Sequence, residues 1–327
     1  MKAVPMNNIF TLARHEVITV LRSKILLALI AIFTLTTAIS VLVASYVFKA
    51  QVADYNAYVQ AAQAAGVARL PPSPLHPLQL LRGSIEYIEI VGTLIAIAIG
   101  YAGVVRERSS KTMRILMSRP ISTWQIFSAK ILGTVAMLTI LIVSMNIVAY
   151  VSIGAVSGLW LQTVDLMRLG VASLAAIAFL TIFYCLGAAA AQLSKVPLRG
   201  FMVGIGFWLI IVMIAPQIGD TMDPDNQVPG GLFNALQVQK AQEKSILAHF
   251  AGYEAVRNGI EEISVEKHYE RFVFAVTGIK DIYNGKTMGF IVKDRAGDLA
   301  WLVGGLGVAS GVFLWSLRRK IIIERGG

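Results

Sequence analysis

The chain has 327 residues and a mass of 35.4 kDa, with 56% hydrophobic residues, 15% charged residues and a mean hydropathy of +0.67. This composition excludes a water-soluble globular protein and indicates a chain embedded in a lipid bilayer. A single cysteine, Cys185, excludes a disulfide framework and a multi-cysteine zinc site. The net charge of +10 would suggest nucleic acid as the partner of a soluble protein. Because the excess lies beside hydrophobic runs, we expect a lipid bilayer and no nucleic acid.

Six uncharged hydrophobic runs have about the length of a membrane-crossing helix. A hydrocarbon core of about 30 Å is crossed by roughly 20 helical residues. The runs are 25–48, 90–105, 131–153, 169–193, 201–218 and 299–317. The first run exceeds the hydrophobic stretch of a signal peptide, so we expect it to be retained. The sequence therefore predicts an all-α membrane protein with six transmembrane helices.

Basic residues are divided unequally between the two sides of this arrangement. The two ends of the chain and the connections 106–130 and 194–200 carry 16 Lys and Arg residues against Glu16, Glu107 and Glu324. Basic connections stay on the cytoplasmic side of a membrane. We therefore expect both termini in the cytoplasm.

The predicted organisation has four parts. They are a cytoplasmic interfacial helix at 1–24, spans one to five at 25–218, an extracytoplasmic helical segment at 219–298, and the sixth span with a basic cytoplasmic tail at 299–327. In the first part, Ile9, Ala13, Val17 and Val20 share one helical face, which favours a helix on the membrane surface. A plain extension of the first span is the alternative.

No Asp, Glu, Lys or Arg lies within the six runs. Transporters driven by ion gradients usually keep ionisable groups at membrane depth, so this pattern favours an external energy source. Glu86 and Glu89 lie just before the second run and, three residues apart, share a helical face. They are possible outer-entrance contacts for a cationic group or a partner helix, and a solvated helix end is the alternative.

Two other classes of function stay open from the residues alone. The first is an intramembrane enzyme with Ser or Cys185 as nucleophile and a histidine as base. No histidine lies within the six runs, which weakens this hypothesis. The second is a scaffold that anchors an outer protein through residues 219–298.

The connection 106–130 reads RERSSKTMRILMSRPISTWQIFSAK. Ser109, Ser110 or Thr112 can cap a predicted short helical turn that contains Ile115 and Leu116, and we expect Pro120 to end it. A short amphipathic helix joined to two spans can transmit a push from a cytoplasmic protein into the membrane. A basic loop that only follows the orientation rule is the alternative.

This connection resembles the hallmark of type-2 ATP-binding-cassette (ABC) permeases, in which an acid, a Gly-Thr pair, a leucine-rich turn, a proline and a lysine occur in order. The matching residues are Glu107, Thr112, Leu116, Pro120, Ile126 and Lys130, followed by Gly133. Lys111 stands in place of the usual glycine and Thr123 in place of a common basic residue. The layout of the whole chain also resembles the subgroup associated with copper-enzyme maturation.

The resemblance implies a pore-forming permease that pairs with a second copy of itself and has no catalytic residue. ATP and magnesium would be bound by a separate nucleotide-binding ATPase, so no cofactor or metal is expected in this chain. The implied coupling residues of 106–130 are Glu107, Thr112, Met113, Ile115, Leu116 and Pro120. A prokaryotic plasma (inner) membrane is implied as well, and an outer accessory protein remains open.

The second inner connection, 194–200, matches the family by position only. Its candidate coupling residues are Lys195, Pro197 and Arg199. A plain tight turn is the alternative.

Overall fold

A computed structural model of the chain describes residues 7–66, 76–109, 121–222 and 232–325. These residues are almost entirely helical and include no β-strand. Within these ranges six helices are long and apolar enough to cross a membrane, and we number them spans 1 to 6. They are Lys24–Ala64, Pro77–Ser109, Thr123–Ser157, Thr163–Leu193, Pro197–Gly219 and Ala296–Arg319. The prediction of an all-α membrane protein with six spans is confirmed.

The remaining helices are shorter. They are Asn7–Leu21, Leu232–Ala235, Lys240–His249, Ala251–Ile263, Val265–Thr277 and Met288–Asp294, with a 3-10 turn at Asp281–Tyr283. Spans 2 and 5 each contain a π-helical segment, at Ile88–Gly92 and Leu209–Ile214 respectively.

Span 1 is a single helix of 41 residues, about 61 Å long and about twice the thickness of a hydrocarbon core. It is separate from the helix Asn7–Leu21, because the chain turns at Arg22 and Ser23 caps the new helix. The Ser23 Oγ accepts a hydrogen bond from the Leu26 amide at 3.4 Å. The helix ends just before Gly66, whose φ of +76° favours a residue without a side chain.

Span 4 forms the centre of the bundle, where Phe179, Leu180 and Cys185 are fully buried. Spans 2 and 4 cross with their backbones in close approach. A Cβ atom on Gly187 would lie 2.6 Å from the Ile97 carbonyl oxygen. Glycine at this crossing allows the two helices to pack closely, as small residues commonly do between membrane helices.

The two ends of the bundle are distinct. One end, which we call the terminal end, contains the helix Asn7–Leu21, the start of span 3 and the last turns of span 6. The ring centroids of Phe127 in span 3 and Phe313 in span 6 lie 5.8 Å apart there. The opposite end holds the start of span 4, where Arg168 donates to the Lys286 carbonyl oxygen at 2.8 Å. Residues 232–295 therefore join the bundle at the end opposite the termini.

The helices extend beyond the six uncharged runs, and these extensions bury charged side chains. Glu89 in span 2, Lys130 in span 3 and Asp298 in span 6 are each less than a tenth exposed. The absence of charge from the runs therefore does not extend to the spans themselves.

The helix Val265–Thr277, which we call the return helix, packs between spans 4 and 6. The Tyr269 ring stacks on the Phe179 ring with centroids 4.3 Å apart and planes 5° apart. Phe179 lies 11 residues, or about 16 Å of helix, further along span 4 than Arg168. Part of the segment 219–298, the return helix, therefore packs inside the bundle. The polar residues in the sequence of this helix did not indicate that it would be buried.

Candidate functional site

The last residues of span 2 form contacts with three different elements at the terminal end. Arg106, Glu107 and Arg108 begin the connection 106–130, of which residues 110–120 lie outside the described ranges; we call this part the connection 110–120. Successive helical residues point about 100° apart, so three in a row reach three neighbours. Here the neighbours are the helix Asn7–Leu21, span 3 and the connection between spans 4 and 5.

Lys130 is the central cation of this cluster. Its side chain is 5% exposed, and its Nζ forms an ion pair with Glu107 and lies 3.1 Å from Glu16 Oε1. Arg106 Nη2 lies 3.2 Å from Glu16 Oε2. Two carboxylates thus face two cations, which is the balance that a buried ionic network requires. We call Glu16, Arg106, Glu107 and Lys130 the coupling cluster.

Glu16 is held in its ionised form by this arrangement. Burial alone would raise the pKa of its carboxyl group, but the charges of Lys130 and Arg106 outweigh burial and lower the pKa below its usual value. The helix Asn7–Leu21 is therefore attached to spans 2 and 3 by charge.

Gly133 allows that helix to approach span 3. A Cβ atom at this position would lie 2.9 Å from the Ala13 carbonyl oxygen and 2.9 Å from the Glu16 Cβ. Real Cβ contacts are rarely so short, so any side chain here would push the helix away and lengthen the Glu16 ion pairs. The glycine that follows Lys130 thus has a packing role in the coupling cluster.

Arg108 joins the end of span 2 to the end of span 4. Its Nη2 lies 2.9 Å from the carbonyl oxygens of Ala191, Gln192 and Ser194, and its Nη1 lies 3.1 Å from that of Lys195. Carbonyl groups at the end of a helix lack internal partners, and a cation there is favourable. The two connections at the terminal end are therefore tied to each other by one side chain.

The hallmark residues at the two borders of the connection 110–120 thus meet in one cluster, with the following glycine in contact with a further helix. A family profile described as ABC-2 family transporter protein matches residues 10–314, nearly the whole chain. The chain belongs to the ABC-2 transporter family. It is accordingly a membrane permease component of an ABC transporter, and an integral membrane protein. No curated protein matches it.

Five of the predicted coupling residues of this ABC-2 permease lie outside the described residues. They are Thr112, Met113, Ile115, Leu116 and Pro120. Just after them, Ser122 and Gln125 form a reciprocal capping box that fixes the start of span 3. Of the predicted hallmark, the described positions Glu107, Ile126, Lys130 and Gly133 are all packed against neighbours.

The second connection of the permease is a tight turn in which the predicted contacts are accessible. Lys195 and Arg199 are exposed, and Pro197 is the first residue of the span 5 helix. Proline is favoured at this position because its missing amide hydrogen is not needed there. The backbone between the two helices is therefore a tight turn, and the role of Lys195 and Arg199 as coupling residues stays a prediction.

Sequence reasoning missed Glu16, Arg106 and Arg108 as members of the site. A signal was present, because Glu16 and Glu107 are two of the three acidic residues on the predicted basic side. An acidic residue that lies among many basic ones is a candidate for a buried ion pair.

Glu86 and Glu89, predicted as outer-entrance contacts, have different environments. Glu86 is half exposed and pairs with Arg82, whose Nε lies 3.0 Å from its Oε1. Glu89 is buried, in the π-helical segment of span 2. The solvated-end interpretation therefore describes Glu86 and is wrong for Glu89.

The described structure does not assemble the enzyme considered above. The Cys185 thiol is buried, and its polar neighbour is Ser310, with Sγ and Oγ 3.9 Å apart. His268 instead contacts Asp298, with Nδ1 and Oδ1 2.7 Å apart. Within the described ranges, no group of three or more His, Cys, Asp or Glu residues could hold a metal ion.

Proposed function

We propose that two copies of this chain form the translocation pathway of an ABC transporter that moves or extracts a substrate across the membrane. A separate nucleotide-binding subunit binds ATP and magnesium and contacts the connections 106–130 and 194–200. The coupling cluster is the observation that carries this proposal, because it joins both borders of the first connection to the helix Asn7–Leu21.

Arg108 extends the proposed coupling to the second connection. Its contacts with the end of span 4 mean that the two connections move together. A displacement of either connection by the ATPase would then be passed to spans 2, 3, 4 and 5. A passive loop would need none of these attachments.

The distribution of charge supports an orientation with both termini in the cytoplasm, where ATP is available. The family resemblance, rather than the charge, supports a prokaryotic plasma membrane as the location of the protein. The subgroup associated with copper-enzyme maturation is supported by the layout of the chain alone. An accessory protein that contacts residues 219–298 from outside is compatible with this orientation.

Purification of the tagged full chain from its native membrane tests the proposal. We expect an ATPase with a phosphate-binding loop to co-purify, and Leu116→Asp to abolish the transport-coupled hydrolysis of ATP. A matched control is Arg82→Met, which removes an exposed ion pair at the opposite end. Absence of the ATPase, or full coupled hydrolysis in Leu116→Asp, would contradict the proposal.

A scaffold is distinguished by the response of the spans to nucleotide. A transporter must change conformation when ATP binds to its partner, whereas a passive scaffold has no reason to do so. Hydrogen exchange of the purified complex with and without nucleotide measures this difference. Equal exchange in spans 2 and 5 under both conditions would favour the scaffold.

A further inference from the structure

His268 in the return helix contacts an oxygen atom with each of its two ring nitrogens. Nδ1 lies 2.7 Å from Asp298 Oδ1 near the start of span 6, and Nε2 lies 3.0 Å from the carbonyl oxygen of Glu262 in the helix Ala251–Ile263. The residue is only 4% exposed, so water has little access to either contact. The imidazole ring is therefore held between two neighbouring helices.

These two contacts require one proton more than a neutral imidazole supplies. A carbonyl oxygen only accepts hydrogen bonds, so Nε2 must carry a hydrogen toward Glu262. A neutral ring then has no hydrogen on Nδ1. The short contact with Asp298 needs a second hydrogen, which lies on Nδ1 or on the carboxyl group. In either case, His268 and Asp298 together hold one proton more than a neutral histidine beside an ionised aspartate.

Trp301 favours the arrangement in which the imidazole carries the charge. The indole stacks on the imidazole with centroids 5.0 Å apart and planes 9° apart. The face of an indole attracts a cation within about 6 Å of its centre. Trp301 follows Asp298 by three residues, so the two side chains share one face of span 6. A protonated His268 thus meets a carboxylate at its edge and an indole on its face.

Arg295 holds the Asp298 carboxylate from the other side. Its Nη1 lies 3.5 Å from Asp298 Oδ2, and its Nε donates to the Tyr283 hydroxyl oxygen at 2.7 Å. Tyr283 in turn donates to the Asp294 carboxylate. These contacts engage the second oxygen of Asp298 and leave the first one directed at His268.

The other elements packed around the pair also carry charged residues. On the helix Ala251–Ile263, the return helix and the turn after it, they are Arg257, Glu261, Glu262, Glu266, Lys267, Glu270, Arg271 and Lys280. Lys267 pairs with Glu270, and Arg271 pairs with Glu261. Span 4 carries charge only in its first two turns, and the segment Leu209–Ile214 of span 5 is apolar. Among the described residues, the ring nitrogens themselves contact Asp298 and the Glu262 carbonyl oxygen.

The helix Ala251–Ile263 connects this site to span 5. A Cβ atom on Gly219, the last residue of span 5, would lie 2.6 Å from Glu261 Cγ. Just after the helix, Ser264 Oγ donates to the Ile211 carbonyl oxygen of the same span at 2.8 Å. Asp298, on the other side of His268, belongs to span 6. The imidazole therefore stands between two elements that belong to different spans.

We propose that His268 and Asp298 form a proton-binding site that holds the helix Ala251–Ile263, and with it the end of span 5, against span 6. Release of the proton to water leaves a neutral imidazole and an ionised Asp298. The remaining hydrogen stays on Nδ1, because a hydrogen bond to a carboxylate is stronger than one to a carbonyl group. Nε2 then presents a lone pair to the Glu262 carbonyl oxygen, and this attachment is lost. The helix is therefore attached at low pH and released as pH rises.

This inference goes beyond the proposed function, since it adds a proton to the events that accompany a change in the spans. Its test uses the full chain in lipid nanodiscs without nucleotide. Nitrogen NMR of isotope-labelled imidazole rings distinguishes an imidazolium from a neutral ring. The signal of His268 is identified by its loss in His268→Gln.

Hydrogen exchange links the proton to the helix. Exchange of residues 259–264, corrected for the intrinsic effect of pH, should rise roughly tenfold or more between about pH 5 and 8 in the wild type. The midpoint of this rise should coincide with the loss of the His268 imidazolium signal. In His268→Gln, whose side chain does not titrate, exchange should stay constant over the same range.

His249→Gln is the matched control, since His249 is an exposed histidine whose Nδ1 lies 2.8 Å from the carbonyl oxygen of Ser245 in its own helix. It should keep the rise of the wild type. An equal rise in His268→Gln, or a rise whose midpoint differs from that of the His268 signal, would overturn the proposal.

The variant Asp298→Asn keeps the test decisive if His268→Gln does not fold. Without the carboxylate, the imidazolium loses its counterion, so the imidazolium signal and the low exchange should both be lost at a lower pH than in the wild type. An unchanged midpoint would count against the pair. Because nucleotide is absent, failure here leaves ATPase coupling untouched, and failure of ATPase binding leaves this result standing.

Discussion

Glu107 and Lys130 form an ion pair across the connection 110–120, one at each of its borders. They are 23 residues apart in sequence, at the end of span 2 and near the start of span 3. The Lys130 side chain is almost fully buried and also contacts Glu16. The two borders of the connection are therefore fixed to each other and to the helix Asn7–Leu21.

Lys130→Met should destabilise the protein by about 3–5 kcal/mol, because it leaves two carboxylates buried without their shared cation. Denaturant unfolding of the full chain in detergent micelles measures this change. Arg82→Met, which breaks the exposed pair with Glu86, should cost less than about 1 kcal/mol. Equal losses in the two variants would show that Lys130 has no special role.

Gly133→Ala should loosen the helix Asn7–Leu21 from span 3. The added Cβ would lie within 2.9 Å of Ala13 and Glu16 atoms, and overpacking of this kind costs about 1–3 kcal/mol. Hydrogen exchange of residues 7–21 should increase. Gly170→Ala in span 4, where a Cβ meets nothing within 4 Å, should leave this exchange unchanged.

Acid should detach the same helix. The pKa of Glu16 is lower in the docked helix than its usual value of about 4.3, so ionised Glu16 stabilises docking fully above that value. As pH falls through 4.3 towards the lowered pKa, this stabilisation is progressively lost. A spin label at the exposed position Phe10, with Cys185 replaced by Ala, reports the helix motion. Glu16→Gln should be mobile at all pH values, and a pH response that survives in it would contradict this assignment.

Arg108→Met should increase hydrogen exchange at residues 191–199, because four carbonyl oxygens lose a charged donor. A hydrogen bond from a charged group contributes about 1.5–3 kcal/mol to stability, so we expect the exchange rate to increase at least tenfold. Arg199→Met is the matched control, since its side chain is exposed. Arg199→Met should leave local exchange unchanged and weaken only attachment of the ATPase.

The sequence predicted the spans well because uncharged runs of about 20 residues have few structures available in a bilayer. The hallmark also singled out Glu107 and Lys130, although it did not predict that they form an ion pair with each other. Burial of Glu89 was not predictable, because a π-helical segment changes the face on which a residue lies and has no evident sequence pattern. Likewise, the return helix carries Glu266 and His268, whose burial depends on partners distant in sequence.

The final turn of span 2 is attached to neighbours on three sides, through Arg106, Glu107 and Arg108. It therefore cannot move independently of those neighbours. A force applied to the connection 110–120 therefore acts at once on the helix Asn7–Leu21, on span 3 and on the junction of spans 4 and 5. If the proposed ATPase pushes on this connection, the rigid body that moves is consequently much larger than the connection itself, and its hinges lie further along the spans.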